Sequence, residues 1–266
     1  MNLRRYELMR RIITYFPARI AQFFKKPDYQ SEIDFWQETL SGGPATISDP
    51  AYREAAFPDY LRLCIYELKK SSDTQLKLLE IGPGPVSLLS AGVDQGLFEI
   101  TAIDPLADVY KKLMRQNGLS YPIKPVKGCG EKLLKYFDKN SFDIVYSSNA
   151  LDHTISPREC MVQMSQVVIQ GGIIFLEGFL REGSAAAWTG LHQHDLFPEN
   201  GHLIHCNRAG IRTDLANGLP LQCIYEKIML FKERSINAFG YEVPLGIEPR
   251  DNWQFRDWYV IVYKKI

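Results

Sequence analysis

Between Lys77 and Glu177 the chain alternates short apolar runs with helical patterns, and this rhythm constrains its fold more than any other feature. Lys77-Leu78-Leu79-Glu80-Ile81 is an apolar run stopped by Gly82-Pro83-Gly84-Pro85, and a helical pattern follows over about 86–94. Phe98 to Ile103 reads as a second strand, 106–117 as a second helix, 122–127 as a weaker strand and Ser141 to Ser147 as another. Pro157 to Val168 is helical, and Gly171-Gly172 then opens Ile173-Ile174-Phe175-Leu176-Glu177. Strands separated by helices in this way form βαβ units with right-handed crossovers, hence a parallel sheet. Two later apolar runs, near Cys223 to Phe231 and from Trp258 to Tyr263, have no good helix between them and read as an antiparallel pair finishing the sheet. The expected class is α/β, a doubly wound and mostly parallel sheet.

The first seventy residues read as a helical prelude. Helical patterns cover about 33–40 and 51–70, separated by the turn-prone Ser41-Gly42-Gly43-Pro44. Residues 1–26 carry Arg4, Arg5, Arg10, Arg11, Arg19, Lys25 and Lys26 against Glu7 alone. Leu3, Tyr6, Met9, Ile13, Phe16, Ile20 and Phe24 recur at intervals of three and four and would form one helical stripe, kinked at Pro17. Such a stripe packs on the body of the protein or on a second subunit, or else lies on an anionic membrane surface. Arg19 interrupts the apolar run and no small-residue cleavage site follows, so a secretory signal does not fit.

Composition narrows the class. Apolar residues make up 45% of the 266 and charged residues 23%, which suits a globular chain with a real core and excludes a disordered one. Thirty-one basic residues balance 31 acidic ones, so no global field favours nucleic acid. Five scattered cysteines without a C-x-x-C pair read as free thiols of a reducing compartment, so a cytoplasmic protein is expected. No run approaches the ~20 apolar residues that span a bilayer.

Ligands of doubly wound sheets bind beyond the carboxyl ends of the strands, where the strand order reverses. The loops after Ile81, Ile103, Val126 and Ser147 therefore matter. Gly82 and Gly84 let backbone approach a ligand, and Asp104, twenty residues after Gly84, can accept hydrogen bonds from two adjacent ribose hydroxyls. A nucleoside-bearing cofactor follows from that pair. A dinucleotide site would want a third glycine where Ser87 stands.

The sequence resembles the class I (Rossmann-like) S-adenosylmethionine-dependent methyltransferase superfamily. Glu80 stands two residues before the first glycine. Gly128-Cys129-Gly130-Glu131-Lys132-Leu133, with Phe142-Asp143-Ile144-Val145 after it, resembles the adenine-side loop and fourth strand of that superfamily. Residues 171–177 resemble its fifth strand. The likeness covers about 70–180 well and 220–266 loosely. It implies a seven-stranded sheet with a terminal antiparallel strand over residues 71–266, an N-terminal helical extension over 1–70 and a lid-like insert at about 181–215. It also implies S-adenosyl-L-methionine as donor and S-adenosyl-L-homocysteine as product. Glu80 would then help hold the methionine ammonium, Gly82, Pro83 and Gly84 would form the cradle, and Asp104 the ribose anchor. Backbone around Cys129 and Gly130 would read adenine with Glu131 nearby, and Asn149 would complete the cofactor site. Val86 replaces a frequent third glycine, and Cys129 stands where many members put an acid.

The fourth strand runs into Ser147-Ser148-Asn149-Ala150-Leu151-Asp152-His153, a loop that faces the acceptor in the superfamily. If the acceptor is an alcohol, a base must take its proton, and Asp152 or His153 could do so. Alternatively, Asp152 caps the next helix and His153 packs. His192-Gln193-His194-Asp195, with His202 and His205, puts four of five histidines within fourteen residues. They read as a lid with a second base (His192, His194), a divalent metal site with Asp195, or a polar loop bonded to itself. No metal ligand is assigned. Trp188, Phe197 and Trp253 stack on a ring or pack in the core. The expected acceptor is a hydroxylated small molecule or a saccharide, including a lipid-linked surface glycan met at the inner face of a membrane through residues 1–26. An NAD-dependent oxidoreductase, a transferase of decarboxylated S-adenosylmethionine, and a non-catalytic partner subunit on the same fold are the rivals. Oligomeric state is left open.

Overall fold

The structure, a computed structural model, describes residues 29–42, 53–54, 56–70, 74–230 and 257–266. The basic stretch 1–26 and Trp253 lie outside the described residues. Strands β1 (Leu76–Ile81), β2 (Phe98–Asp104), β3 (Val126–Lys127), β4 (Phe142–Ser148) and β5 (Val168–Phe179) come first. β6 (His194–Glu199), β7 (His202–Asn207), β8 (Arg212–Asp214), β9 (Leu221–Met229) and β10 (Trp258–Lys265) follow. Seven of them form one sheet in the order β3-β2-β1-β4-β5-β10-β9. β1 pairs in parallel with β2 and β4, and β4 with β5, whereas β10 runs antiparallel to both β5 and β9. The expected doubly wound sheet with an antiparallel terminal strand is therefore present.

The central strands β1, β4, β5 and β10 hold because both faces of the sheet are covered there, so their residues are mostly apolar, whereas the edge strands β3 and β9 are largely exposed or half-buried. Period two divides them. Leu76 and Leu78, Ile144 and Tyr146, Ile173 and Phe175, and Val260 and Val262 form one core with Leu61 and Ile65 of α2 (Asp59–Lys69); the other α helices are α1 (Gln30–Gly42), α3 (Ser90–Asp94), α4 (Ala107–Gln116), α5 (Pro157–Val167) and α6 (Glu182–Ala185). Leu79, Val145, Ile174, Leu176 and Ile261 face the other way, onto Cys160, Met161, Met164 and Val167 of α5. Those four positions share one side of that helix. Ser156 caps it by accepting from Glu159 N–H at 3.2 Å, with Pro157 in the first turn. α1 buries Leu40 against Leu106, Tyr110 and Leu113 of the α4 region.

Three elements differ from the sequence expectation. The helix after the glycine turn begins at Ser90, not near 86, because Ser87 Oγ is committed to Glu80 and to Leu89 N–H and holds a turn there. β5 starts at Val168, before Gly171-Gly172, and a register irregularity against β4 between Phe142 and Ile144 absorbs the pair, with Gly171 at φ +79°. Finally, residues 194–214 are an antiparallel sheet, β6-β7-β8, rather than a polar loop. Leu196, Leu203 and Leu215 join the α5-side core, so the sheet is fastened to the body.

One hydrogen bond ties this small sheet to the large one: Tyr263 Oη of β10 accepts from Leu203 N–H at 2.7 Å, both residues being buried. Tyr263→Phe leaves that N–H without a partner, and a loss of about 1–3 kcal/mol is expected in urea unfolding. An unchanged midpoint would show that the two sheets are fastened by apolar contact alone.

Candidate active site

The strand order reverses at β1, whose neighbours are β2 on one side and β4 on the other. The loops leaving their carboxyl ends open onto a single cleft of about 1370 Å³. Gly82 and Gly84 take φ of +71° and +63°. A Cβ on Gly82 would lie 2.5 Å from Ala150 Cβ, so the β1 and β4 loops touch at a point that only glycine permits.

Asp104 fastens the next loop. Its Oδ1 accepts from Leu106 N–H at 2.7 Å and its Oδ2 from Gly84 N–H at 3.2 Å, which leaves lone pairs on both oxygens for a ligand. Burial pushes its pKa up to about 6 against those two backbone bonds. Glu80 is more deeply buried, 2% exposed, and burial raises it to about 8, opposed by Ser87 Oγ, which lies 2.9 and 2.7 Å from its two oxygens. A buried carboxyl with so high a pKa is a receptor for positive charge: a cation beside it repays the desolvation that keeps it protonated.

All nine residues expected at the cofactor line this cleft: Glu80, Gly82, Pro83, Gly84, Asp104, Cys129, Gly130, Glu131 and Asn149. Besides Asp104, Asn149 and Glu131 also carry structural duties. Asn149, at φ +47°, accepts Phe179 N–H on its Oδ1 and so joins the end of β4 to β5. Glu131 Oε1 accepts Ile155 N–H at 2.9 Å. Burial, then the neighbouring Glu131 charge, raises the Cys129 thiol, which disfavours a reactive thiolate.

The expected acceptor residues divide. Asp152 and His153 sit in a short 3₁₀ turn, Leu151–His153, and the cap of α5 is Ser156, so the capping role for Asp152 is corrected. His192 Nδ1 lies 2.8 Å from Asp152 Oδ2, and His153 Nε2 lies 3.0 Å from His192 Nδ1. His153 and His192 line the cleft, with Asp152 buried behind them. Burial lowers the His192 pKa, but the hydrogen bond and charge of Asp152 outweigh it and the net shift is upward. His194 is not part of the cleft wall: it contacts Thr154 O and His205 Nε2, each at 2.8 Å. His202 pairs with Asp214, and Asp195 accepts Ser184 N–H at 2.7 Å. The histidine-rich stretch therefore does not assemble with Asp195 as a metal site. Phe197 lies under the Arg181 guanidinium at 4.0 Å and Trp188 packs against Gly183, so neither forms the stacking wall.

Sequence reasoning missed a whole wall of the cleft. Tyr29, just before α1, and Glu32, Phe35, Trp36 and Thr39 of α1 line it, and the Trp36 ring lies 3.0 Å from where a Gly84 Cβ would stand. The helical pattern was visible, but nothing in it told which element it covers. Glu182, Thr189 and Leu191, from the segment after β5, close the acceptor end.

Residues 79–176 match the family described as methyltransferase domain. No curated protein matches the chain. Among solved structures, a Haloferax volcanii protein in complex with the Trm112 methyltransferase activator aligns with a TM-score of 0.51 at 13% identity, over 89% of this chain and 96% of that one. A Burkholderia thailandensis 1,6-didemethyltoxoflavin-N1-methyltransferase, with S-adenosylhomocysteine bound, aligns at 0.47 and 12% identity over 91% of each chain. A Thermotoga maritima SAM-dependent methyltransferase gives 0.44 and 16%, over 78% of this chain and 90% of that one. Residues 79–176 thus match a methyltransferase domain, and the strand order with the glycine turn at its switch point agrees with that match.

Proposed function

We propose that the protein transfers the methyl group of S-adenosylmethionine to an oxygen of a hydroxylated small molecule or saccharide. The observation that carries this reading is the polarity of the one cleft. Two buried carboxyls, Glu80 and Asp104, stand at its strand-loop end, and an acid–imidazole cluster, Asp152, His153 and His192, stands at the other. The first pair suits a ligand with an ammonium and a ribose. The second suits an acceptor that must give up a proton, which a hydroxyl does when it is alkylated.

The roles follow from position. Glu80 receives the methionine ammonium and Asp104 the ribose hydroxyls. The backbone of Cys129 and Gly130 borders adenine, with Glu131 at its rim. Trp36 and Phe35 of α1 exclude water from the donor, which favours an in-line displacement that needs alignment more than acid–base power. In that step the acceptor oxygen forms its bond to the methyl carbon while the carbon–sulfur pair leaves with sulfur, giving a neutral thioether. The acceptor proton passes to the imidazole cluster.

Calorimetric titration with S-adenosylhomocysteine tests the donor half, and incubation with tritium-labelled S-adenosylmethionine and pools of saccharides, phenols and amines tests the acceptor half. Label in the hydroxylated pools and not in the amines is expected; label confined to amines would overturn the oxygen assignment.

Glu80 makes a sharper prediction. An acid whose folded pKa is about 8 binds a proton that the unfolded chain releases near 4.5, so stability falls as pH rises between those values. Donor binding at pH 6.5 must then expel that proton if the ammonium meets an ionised Glu80. The measured enthalpy should vary with the ionisation heat of the buffer. Glu80→Gln should remove the Glu80 part of that dependence and weaken binding by about 10- to 100-fold, the worth of one charge-assisted contact. A buffer dependence identical in wild type and variant would place the ammonium elsewhere.

A further inference from the structure

The three groups beyond the end of β4 converge on a common point, which allows them to share a bound cation as well as a proton. Asp152 Oδ2, His192 Nδ1 and His153 Nε2 form a triangle with edges of 2.8, 3.0 and 3.4 Å. A proton on His192 Nδ1 satisfies the short edge to Asp152. It leaves His153 Nε2 facing the same oxygen at the limit of hydrogen-bond reach and a second ring nitrogen at 3.0 Å. One cation inside the triangle satisfies all three lone pairs together. Ligand atoms held roughly 2.0–2.2 Å from a metal lie roughly 2.9–3.5 Å apart at the angles of octahedral and tetrahedral sites, and the triangle falls in or beside that range.

The surroundings are built for the same purpose. Asp152 is 4% exposed, so its orientation is fixed by the fold. His153 turns its other nitrogen, Nδ1, toward Glu32 Oε2 at 3.9 Å, so a shift of under an ångström would bring that carboxylate into hydrogen-bond reach of a metal-bound imidazole. Glu182 Oε1 lies 3.6 Å from His192 Nδ1, close enough to join the site after a small movement. Three carboxylates thus surround two imidazoles, an excess of negative charge that a dication offsets. The ligands come from three separate places in the chain, the turn after β4, the segment before β6 and, in the outer ring, α1, so no sequence spacing could announce them.

We propose that Asp152, His153 and His192 bind one divalent transition-metal ion of the zinc or cobalt type. Two imidazoles and one carboxylate suit such borderline ions better than magnesium or calcium, which prefer oxygen ligands. Because His153 and His192 line the cleft, the ion's remaining positions open toward the acceptor. An acceptor oxygen bound there would ionise more readily before it attacks. This last use rests on the methyl-transfer reading above; the ion itself does not.

The test is made on the full chain, freed of metal by a chelator and dialysed. Titration with Co²⁺, read by its visible d–d absorption, and with Zn²⁺, read by calorimetry, should each saturate at one equivalent. His153→Ala and His192→Ala should each weaken binding by at least tenfold, while His194→Ala, outside the triangle, leaves it within about twofold. S-adenosylhomocysteine affinity, measured on the same samples, should stay within a few fold in every variant, which separates loss of metal from loss of fold. Absence of saturable binding up to about 100 μM metal would overturn the proposal, as would binding that survives both triangle variants or vanishes with His194→Ala. If S-adenosylhomocysteine binds normally while the metals do not, the methyl-transfer reading stands and the triangle is a proton network only. If the metals bind and S-adenosylhomocysteine does not, the donor assignment falls and the metal site stands.

Discussion

The carboxylate of Asp104 is the constraint on which the site depends. It accepts from Gly84 N–H with one oxygen and from Leu106 N–H with the other. The glycine turn after β1 and the turn after β2 are thereby held to one another through a single side chain. Next door, the β1 turn is pressed against the β4 turn so closely that Gly82 admits no Cβ beside Ala150. Three loops that could each have moved alone are locked as a unit, and the lock is made of the same groups that face the cleft. Rigid backbone at a switch point matters because a bound ligand is aligned only as well as the turns that hold it.

Helix α1 extends this logic outward from the sheet. Leu40 anchors it on Leu106, Tyr110 and Leu113, which lie just downstream of Asp104, so the helix and the second loop share a footing. Its opposite contribution is chemical: Trp36, held by a 2.8 Å bond to Glu32 Oε1, lies over Gly84. Glu32 in turn approaches His153. One short helix therefore touches both the glycine-turn end of the cleft and the end beside His153, through residues four apart or less on one of its sides.

How much of this could be read from the chain depended on whether the signal was local. The central strands were legible because a sheet covered on both faces makes most of their positions apolar, and Leu78-Leu79, Ile144-Val145 and Ile173 to Leu176 show that directly. The loops that line the cleft were legible because Gly82, Gly84 and Asp104 fall at fixed distances from strand ends. The start of α3 was not, since it is decided by what Ser87 does with its hydroxyl, a partner seven residues back on a strand. The histidines were grouped correctly as notable and wrongly as a unit. His192 reaches back forty residues to Asp152, while His194 turns to His205 and Thr154, a division that arises because His192 precedes β6 whereas His194 opens it beside β7, and that is invisible until their pairing is known. The α1 wall was invisible for the same reason: amphipathic spacing gives a face, never its partner.

The placement of charge explains why so acidic a cleft can fold at all. Glu80 and Asp104 are both buried, and each carries a raised pKa because burial penalises its anion. Below its pKa of about 8, Glu80 stays protonated and the fold is spared a second buried anion beside Asp104. The acceptor end uses the opposite device. Burial works against the Asp152 anion too, but the charge of His153 and the hydrogen bond from His192 overcome it and hold the carboxyl below its usual range. One end of the cleft thus keeps its acid neutral until positive charge arrives, and the other keeps its acid ionised with its own imidazoles. Burial therefore acts against the anion at both ends of the cleft, and what differs is whether a cationic side chain stands beside the acid.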